Sequence, residues 1–276
     1  MQYTKMHGAG NSFIIWEDPR GERKGEDLSV LALRLCSGET GPGADGMIVV
    51  VPAEGDADFG MLFYNADGSV GEMCGNGARC IARYGLEHAL APDPEHIRIR
   101  TTAGPVTGRR IDRELYEVRL NDPSVVDLAR LVSVNGLTLN CAYVELGKPG
   151  IPHAVVDAAP GDFEDLDALR SFGRALRWNA AFPKGANVTF ACVTGRDCVQ
   201  AVTYERGVED FTLACGTGCG ATALSLSLRG RVTGNPVRIH MPGGQLRVRL
   251  EPEGKAVPGL YLTGPTAVVE EGEFSF

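Results

Sequence analysis

The sequence has no apolar run long enough to cross a bilayer. Its most apolar short stretch is Met47-Ile48-Val49-Val50-Val51, against the roughly 20 residues that a spanning helix needs. The first residues, Met1-Gln2-Tyr3-Thr4-Lys5, carry no apolar leader pattern, so a cytoplasmic protein with no membrane partner is expected. There is no basic stripe, and the net charge is −8, which argues against nucleic acid as a partner. The eight cysteines include no Cys-x-x-Cys pair; Cys215 and Cys219 stand four apart without a matching pair, and the five histidines are scattered. No metal site is therefore expected, and free thiols are expected over disulfides. The glycine-rich stretch 38–46 lacks the Gly-Lys-Ser/Thr of a phosphate-binding loop and is read as a plain loop.

What is present is a pair of related motifs. Met73-Cys74-Gly75-Asn76-Gly77-Ala78-Arg79 and Ala214-Cys215-Gly216-Thr217-Gly218-Cys219 both read Cys-Gly-x-Gly, and both open an alanine-rich helical pattern about half a chain apart. Glycines allow a tight turn and leave amide N–H groups bare at the helix start. The partial positive charge there favours a thiolate or a bound carboxylate. Two such thiols, one in each half, suit acid/base work on opposite faces of one substrate.

The rest of the chain reads mostly as strands. After a strand at 3–5 and a glycine-rich turn at 7–11, strands are expected at 13–16, 47–51, 61–64, 97–101, 105–109 and 115–120. Asp27 is a candidate cap for a helix over 28–36 with Leu28, Leu31 and Leu35 on one face. The first cysteine motif opens a helix from 78 to about 87. Asn121-Asp122-Pro123-Ser124 reads as a linker, and the second half begins with an extended segment at 137–146. Lys148-Pro149-Gly150-Ile151-Pro152-His153 reads as a loop ending in a histidine. A helix at 165–174 and strands at 188–193 and 198–204 lead to the second cysteine element. Its helix over 219–229 is apolar nearly all round, as a helix enclosed by sheet should be. Strands at 237–240, 245–250 and 260–263 follow. Each half is thus a set of strands around one long buried helix with a cysteine at its start, an internal duplication of α+β type.

Inverting a carbon next to a carboxylate requires taking a weakly acidic hydrogen from one face and returning one to the other. One thiolate and one thiol do this in a single pass. Cysteine titrates near pH 8.5, about two units nearer neutrality than lysine. Helix N-termini could hold the substrate carboxylate and stabilise the charge that develops on it, which lessens the need for a pyridoxal cofactor.

At these residues the chain resembles the diaminopimelate epimerase family. The motifs that carry the resemblance run in order along nearly the whole length: Lys5-Met6-His7-Gly8-Ala9-Gly10-Asn11, Asn65-Ala66-Asp67-Gly68-Ser69 through Cys74 to Cys80, Pro152-His153-Ala154-Val155, Asn187-Val188-Thr189-Phe190, Tyr204-Glu205-Arg206-Gly207 and Leu213 to Gly218. The resemblance implies a cofactor-independent isomerase that interconverts LL- and meso-2,6-diaminopimelate in lysine and peptidoglycan-precursor synthesis, with no metal. It implies Cys74 and Cys215 as the two bases, with His153 and Glu205 beside the thiols. Gly75, Asn76, Gly216 and Thr217 would cradle the reacting carboxylate. Asn11, Asn65, Asn187, Glu205 and Arg206 would hold the other polar groups, with Arg206 on the distal carboxylate. It also implies a homodimer and two pseudo-symmetric α+β domains, each a mixed sheet or barrel around a central helix. These are expected at 1–120, joined by a returning segment at about 264–276, and at 121–263.

Three positions depart from the family pattern. Ile151 stands where many members carry asparagine, Gly46 where many carry glutamine, and Glu270 in place of a tyrosine linked to dimer contacts. The first two belong to substrate recognition, so a racemase of another amino acid, such as histidine or a proline derivative, is the nearest alternative. A retained Arg206 argues against the proline type. A thiol redox or zinc-binding protein is the alternative of another class.

Overall fold

The computed structural model describes residues 1–23, 25–71, 74–102, 104–252 and 259–275; Met73 of the first cysteine motif lies outside them. Contacts divide the chain into two units, one of Met1–Arg119 with Thr263–Phe276 and one of Leu120–Leu262.

The first unit starts with a hairpin, β1 (Gln2–Gly8) and β2 (Asn11–Glu17). The two-residue turn between them holds Ala9 at φ 54° and Gly10 at φ 86°, the left-handed pair that matches the twist of a tight hairpin. Helix α1 (Glu26–Cys36) crosses over to β3 (Gly46–Val51), which pairs parallel to β2. Next come β4 (Phe59–Asn65), antiparallel to β3, and the short β5 (Val70–Gly71). Helix α2 (Gly75–Glu87) leads to β6 (Ile97–Thr101), parallel to β4. β7 (Gly104–Arg110) and β8 (Leu115–Arg119) finish the run.

The second unit repeats this plan element for element. After β9 (Pro123–Val134), the hairpin is β10 (Leu137–Leu146) and β11 (Ile151–Asp157). Helix α3 (Leu166–Arg177) crosses to β12 (Asn187–Gly195), parallel to β11. β13 (Cys198–Tyr204) and the short β14 (Phe211–Thr212) follow, then α4 (Gly216–Leu228). β15 (Val237–Met241) runs parallel to β13, followed by β16 (Gly244–Glu251) and β17 (Gly259–Pro265). The final strand, β18 (Ala267–Glu273), pairs with β1 as β9 pairs with β10.

Each central helix is packed by strands of its own unit: α2 by β1, β2, β6, β7 and β8, and α4 by β10, β11, β12, β15 and β16 among others. Burial follows. In α2 every residue from Gly75 through Gly85 is buried, including Arg79 and Arg83; in α4 burial covers Gly216 and Gly218 through Leu226. The crossover helices are amphipathic instead. Leu28, Leu31 and Leu35 of α1 pack on Trp16, Met47 and Val49, while Val30 and Leu33 face outward.

Three expectations need correction. Asp27 does not cap α1: the helix begins at Glu26, and Gly25, at φ 67°, precedes it. The Gly25 carbonyl accepts from the amides of Leu28 and Ser29, so backbone does the capping. The stretch 148–153 is not all loop, because β11 begins at Ile151. Pro152 is tolerated there because the parallel pairing to β12 starts one residue later, at His153, so no ladder bond needs its missing N–H. The linker expected at 121–124 is shorter: Asn121 and Asp122 are irregular, and Pro123 and Ser124 open β9, a strand of 12 residues with Pro123 at its first position. Only Val132 and Val134 of it are buried, so its apolar alternation is weak.

The enclosure of the helices gives an unusual sign to one substitution. Gly→Ala within a helix ordinarily gains about 0.5–1 kcal/mol. A Cβ at Gly85 would lie 2.3 Å from Cε1 and 2.6 Å from Cζ of Phe59, a ring that is itself buried. Gly85→Ala should therefore destabilise by about 1–3 kcal/mol. Gly220→Ala in α4 meets the methyl tip of Leu120 at 2.6 Å and should cost less, because an aliphatic tip can rotate away. Urea unfolding of the two variants checks this; a Gly85→Ala protein as stable as the parent would show that the α2 enclosure is loose.

Candidate functional site

In the first unit, Cys74 is the N-cap residue of α2, extended at φ −128° and ψ 114°, with no side-chain capping bond. Its carbonyl accepts from the Ala78 amide at 2.8 Å, so the helix starts on the cysteine itself. The amides of Gly75 and Asn76 belong to the first turn and have no carbonyl within the helix to bond. The Cys74 thiol, partly exposed, donates to Asn11 Oδ1 at 3.5 Å, and Asn76 Nδ2 donates to the same oxygen at 3.5 Å. Asn11 reaches this point because the tight turn at Ala9 and Gly10 sets it at the head of β2. Asn65 stands apart. It closes the turn after β4, with Nδ2 donating to Ser69 Oγ at 2.9 Å, and no hydrogen bond among the described residues joins it to the Cys74 group.

In the second unit, Cys215 is the N-cap of α4 at φ −113° and ψ 105°, again with no side-chain capping bond, and its carbonyl accepts from the Cys219 amide at 2.9 Å. The thiol is buried and lies 3.7 Å from Thr217 Oγ1. Gly218 has to be glycine, since a Cβ would press on Cys215 Sγ at 3.1 Å and Thr189 Oγ1 at 3.2 Å. The Glu205 carboxyl accepts from Thr212 Oγ1 at 2.5 Å and also hydrogen-bonds Cys215. Burial raises the pKa of Glu205 above the ordinary carboxylate value. Burial also pushes the Cys215 thiol well above its usual range, and the negative charge of Glu205 adds to this.

His153 and Asn187 face each other across β11 and β12. His153 is wholly buried, with neither ring nitrogen hydrogen-bonded. Burial first, and the charge of Arg206 second, lower its pKa from 6.5 to about 3, so it is neutral imidazole. Asn187 is committed within the unit: Nδ2 donates to the Pro152 carbonyl at 3.3 Å, and Oδ1 accepts from the Arg206 amide at 2.7 Å. It ties the Glu205-Arg206 turn to β11. The exposed Arg206 guanidinium donates to the Lys184 carbonyl at 3.2 Å and has no carboxylate partner among the described residues, which leaves it able to take an anion. Thr212 and Lys184 were not legible as site residues, because each meets its partner only through folding and neither sits in a motif.

The departures have physical readings. Gly46 begins β3 opposite Asn65, and a Cβ there would lie 2.6 Å from the Phe63 ring and 2.8 Å from the Tyr64 carbonyl; no longer side chain fits. Ile151 opens β11 opposite Leu146, half-buried. Glu270, opposite Lys5 on β18, accepts from the Tyr3 hydroxyl at 2.5 Å. All eight cysteines are free thiols. Among the described residues no three side chains of His, Cys, Asp or Glu group as metal ligands, and no helix is long and apolar enough to cross a membrane.

The sequence model of the diaminopimelate epimerase family matches residues 3–121 and 147–269. The chain belongs to that family. It is 35% identical to the diaminopimelate epimerase of Aquifex aeolicus over 100% of this chain and 98% of the relative. To that of Chlorobaculum tepidum it is 36% identical, covering 97% and 98%. Solved structures share the fold at lower identity. A probable proline racemase from Agrobacterium radiobacter superposes with a TM-score of 0.72 at 18% identity, over 99% of this chain and 92% of that one. A PhzF-family phenazine biosynthesis protein of Bacillus anthracis gives 0.75 at 13%, over 100% and 99%. The expected α+β fold, strands around a central helix in each repeat, is the fold of these proteins.

Two pH effects follow. Unfolded chain protonates His153 near pH 6.5, whereas the folded chain resists until about pH 3. The stability due to neutral His153 is therefore complete above pH 6.5 and is lost as pH falls toward 3. His153→Leu should flatten the fall of the urea midpoint over that window; a slope equal to the parent's would mean that the imidazole titrates freely. For Cys215, the Glu205 charge is the second cause of its high pKa. Glu205→Gln should move the pH midpoint of Cys215 alkylation downward, though not to the ordinary thiol value, because burial remains. Peptide mapping after iodoacetamide at stepped pH reads this directly, and an unmoved midpoint would show that the thiol does not feel the carboxylate.

Proposed function

We propose that this protein is a pyridoxal-phosphate-independent amino-acid epimerase that interconverts LL- and meso-2,6-diaminopimelate, with Cys74 and Cys215 as the two acid/base groups. The observation that carries the reading is the repeat itself. In two units of matching connectivity, the same element, the buried central helix, starts on a cysteine whose carbonyl accepts the first intrahelical amide bond. Family membership over nearly the whole chain supports the substrate, and Arg206, an arginine with no carboxylate partner among the described residues, supports a second carboxylate on it.

In the forward direction the thiolate form of one cysteine takes the α-hydrogen from one face, and the thiol form of the other delivers its hydrogen to the opposite face; the roles exchange in reverse. The first-turn amides at Gly75, Asn76, Gly216 and Thr217 hold the reacting carboxylate and stabilise charge that develops on it. Glu205, hydrogen-bonded to Cys215, is the local acceptor for that thiol's proton. Neutral His153 and the Asn11, Asn65 and Asn187 amides complete the polar surroundings of the substrate, as the family motifs imply. The two domains are 1–120 with 264–276, and 121–263. The enzyme is a cytoplasmic homodimer in lysine and peptidoglycan-precursor synthesis; eight free thiols fit a reducing compartment.

The test uses reduced, purified protein in deuterium oxide with one stereoisomer. Early product should carry deuterium at the inverted carbon, while unreacted substrate carries little. Cys74→Ala and Cys215→Ala should each lose about 10²–10⁴-fold or more in both directions, and Arg206→Ala about 10²-fold in kcat/KM. Product that retains its original α-hydrogen, or inversion surviving in either cysteine variant, would remove the two-base mechanism. Turnover of histidine or proline with none of diaminopimelate would remove the substrate.

A further inference from the structure

Arg79 lies one turn into α2 and is fully buried, 0% exposed. Its Nη2 donates to Asn76 Oδ1 at 3.0 Å and its Nη1 to the Gly75 carbonyl at 3.3 Å. β1 closes over this pair. A Cβ on Gly8 would stand 3.0 Å from the Asn76 carbonyl oxygen and 3.3 Å from Arg79 Nη2, so only glycine lets β1 lie this close to the turn.

A guanidinium offers donors only, whereas a side-chain amide has one acceptor and one donor end. The oxygen of Asn76 must therefore face Arg79, and its Nδ2 must face away, toward Asn11 Oδ1 at 3.5 Å. Reversing that amide would set NH₂ against guanidinium where Asn76 is only 2% exposed, leaving buried donors unpaired. Fixing Asn76 fixes Asn11 in turn, because the Asn11 oxygen receives the Asn76 donor. That same oxygen takes the Cys74 thiol at 3.5 Å. A thiol can donate to an oxygen; a thiolate has no hydrogen to give.

We propose that Arg79 is a positioning residue for Cys74. Through the Asn76 and Asn11 amides it turns an oxygen, not an amino group, toward the thiol, and so holds Cys74 in its proton-carrying form while the site is empty. The chain of orientation runs Arg79, Asn76, Asn11, Cys74, and each link is set by the donor-only chemistry of the first. This rests on the reading of Cys74 as an acid/base group.

A double-mutant cycle of Arg79→Met and Asn76→Ala in the full chain tests it, with three readouts: kcat on diaminopimelate, the rate of Cys74 alkylation by iodoacetamide, and the melting temperature. If Arg79 acts through Asn76, Arg79→Met alone lowers kcat about 10²-fold and changes the Cys74 alkylation rate. Added to Asn76→Ala, it changes neither by more than about threefold. Losses that multiply in the double variant, or an Arg79→Met protein with parental kcat and alkylation, would overturn the proposal. If Arg79→Met does not fold, Arg79→Lys, which keeps the buried cation and one donor, carries the cycle. It should lose about tenfold in the parent background and nothing in Asn76→Ala. Alkylation needs no substrate. A changed rate in the parent background alone upholds the role of Arg79 even where diaminopimelate is not turned over, and that second result would overturn only the substrate reading.

Discussion

The constraint on which each unit depends is that a helix enclosed by strands still has to begin somewhere. Along its sides a buried helix satisfies its own backbone, so strands can cover it with apolar side chains. At its first turn it cannot, because those amides have no partner within the helix. Both central helices here start on a cysteine that supplies no side-chain capping bond. The usual remedies, Ser, Thr, Asp or Asn at the N-cap, are absent at both. A cysteine in place of these residues forgoes about 1 kcal/mol of capping at each end. What the protein gains is a dipole end and donors ready for an anion.

Much of this could be read from residues alone because the signals were local. The Cys-Gly-x-Gly elements announced both helix starts, and the apolar run in α4 announced its burial. Alternating β-branched residues marked β12, β13 and β15. What escaped was decided by distant partners. The start of β9 reads as linker because only Val132 and Val134 of the strand are buried; it is a strand because β10 supplies its hydrogen bonds. Pro152 argues against a strand until the register shows that its missing N–H falls outside the parallel ladder. At the site, Asn65 and Asn187 were grouped with the substrate-binding residues by motif. In the fold the Asn65 amide bonds the Ser69 hydroxyl within its own turn, and the Asn187 amide ties β11 to the Arg206 turn. A motif reports that a residue matters, without separating contact with a ligand from support of the chain.

The duplication copies architecture without copying electrostatics. α2 is a helix with two buried arginines, while α4 carries none. The Cys74 thiol meets a neutral amide oxygen; the Cys215 thiol meets a carboxyl group raised in pKa by burial. Two thiols of equal proton affinity would share a single proton with no preference between them. A two-base transfer needs one thiol and one thiolate. Unlike neighbours break that degeneracy: a neutral amide oxygen accepts from Cys74, whereas burial and the negative charge of Glu205 raise the pKa of Cys215. In the proposed mechanism, a substrate carboxylate at the two helix starts shifts that balance, because positive helix ends favour negative charge. Under that mechanism the same pair of thiols serves both directions of one reversible inversion.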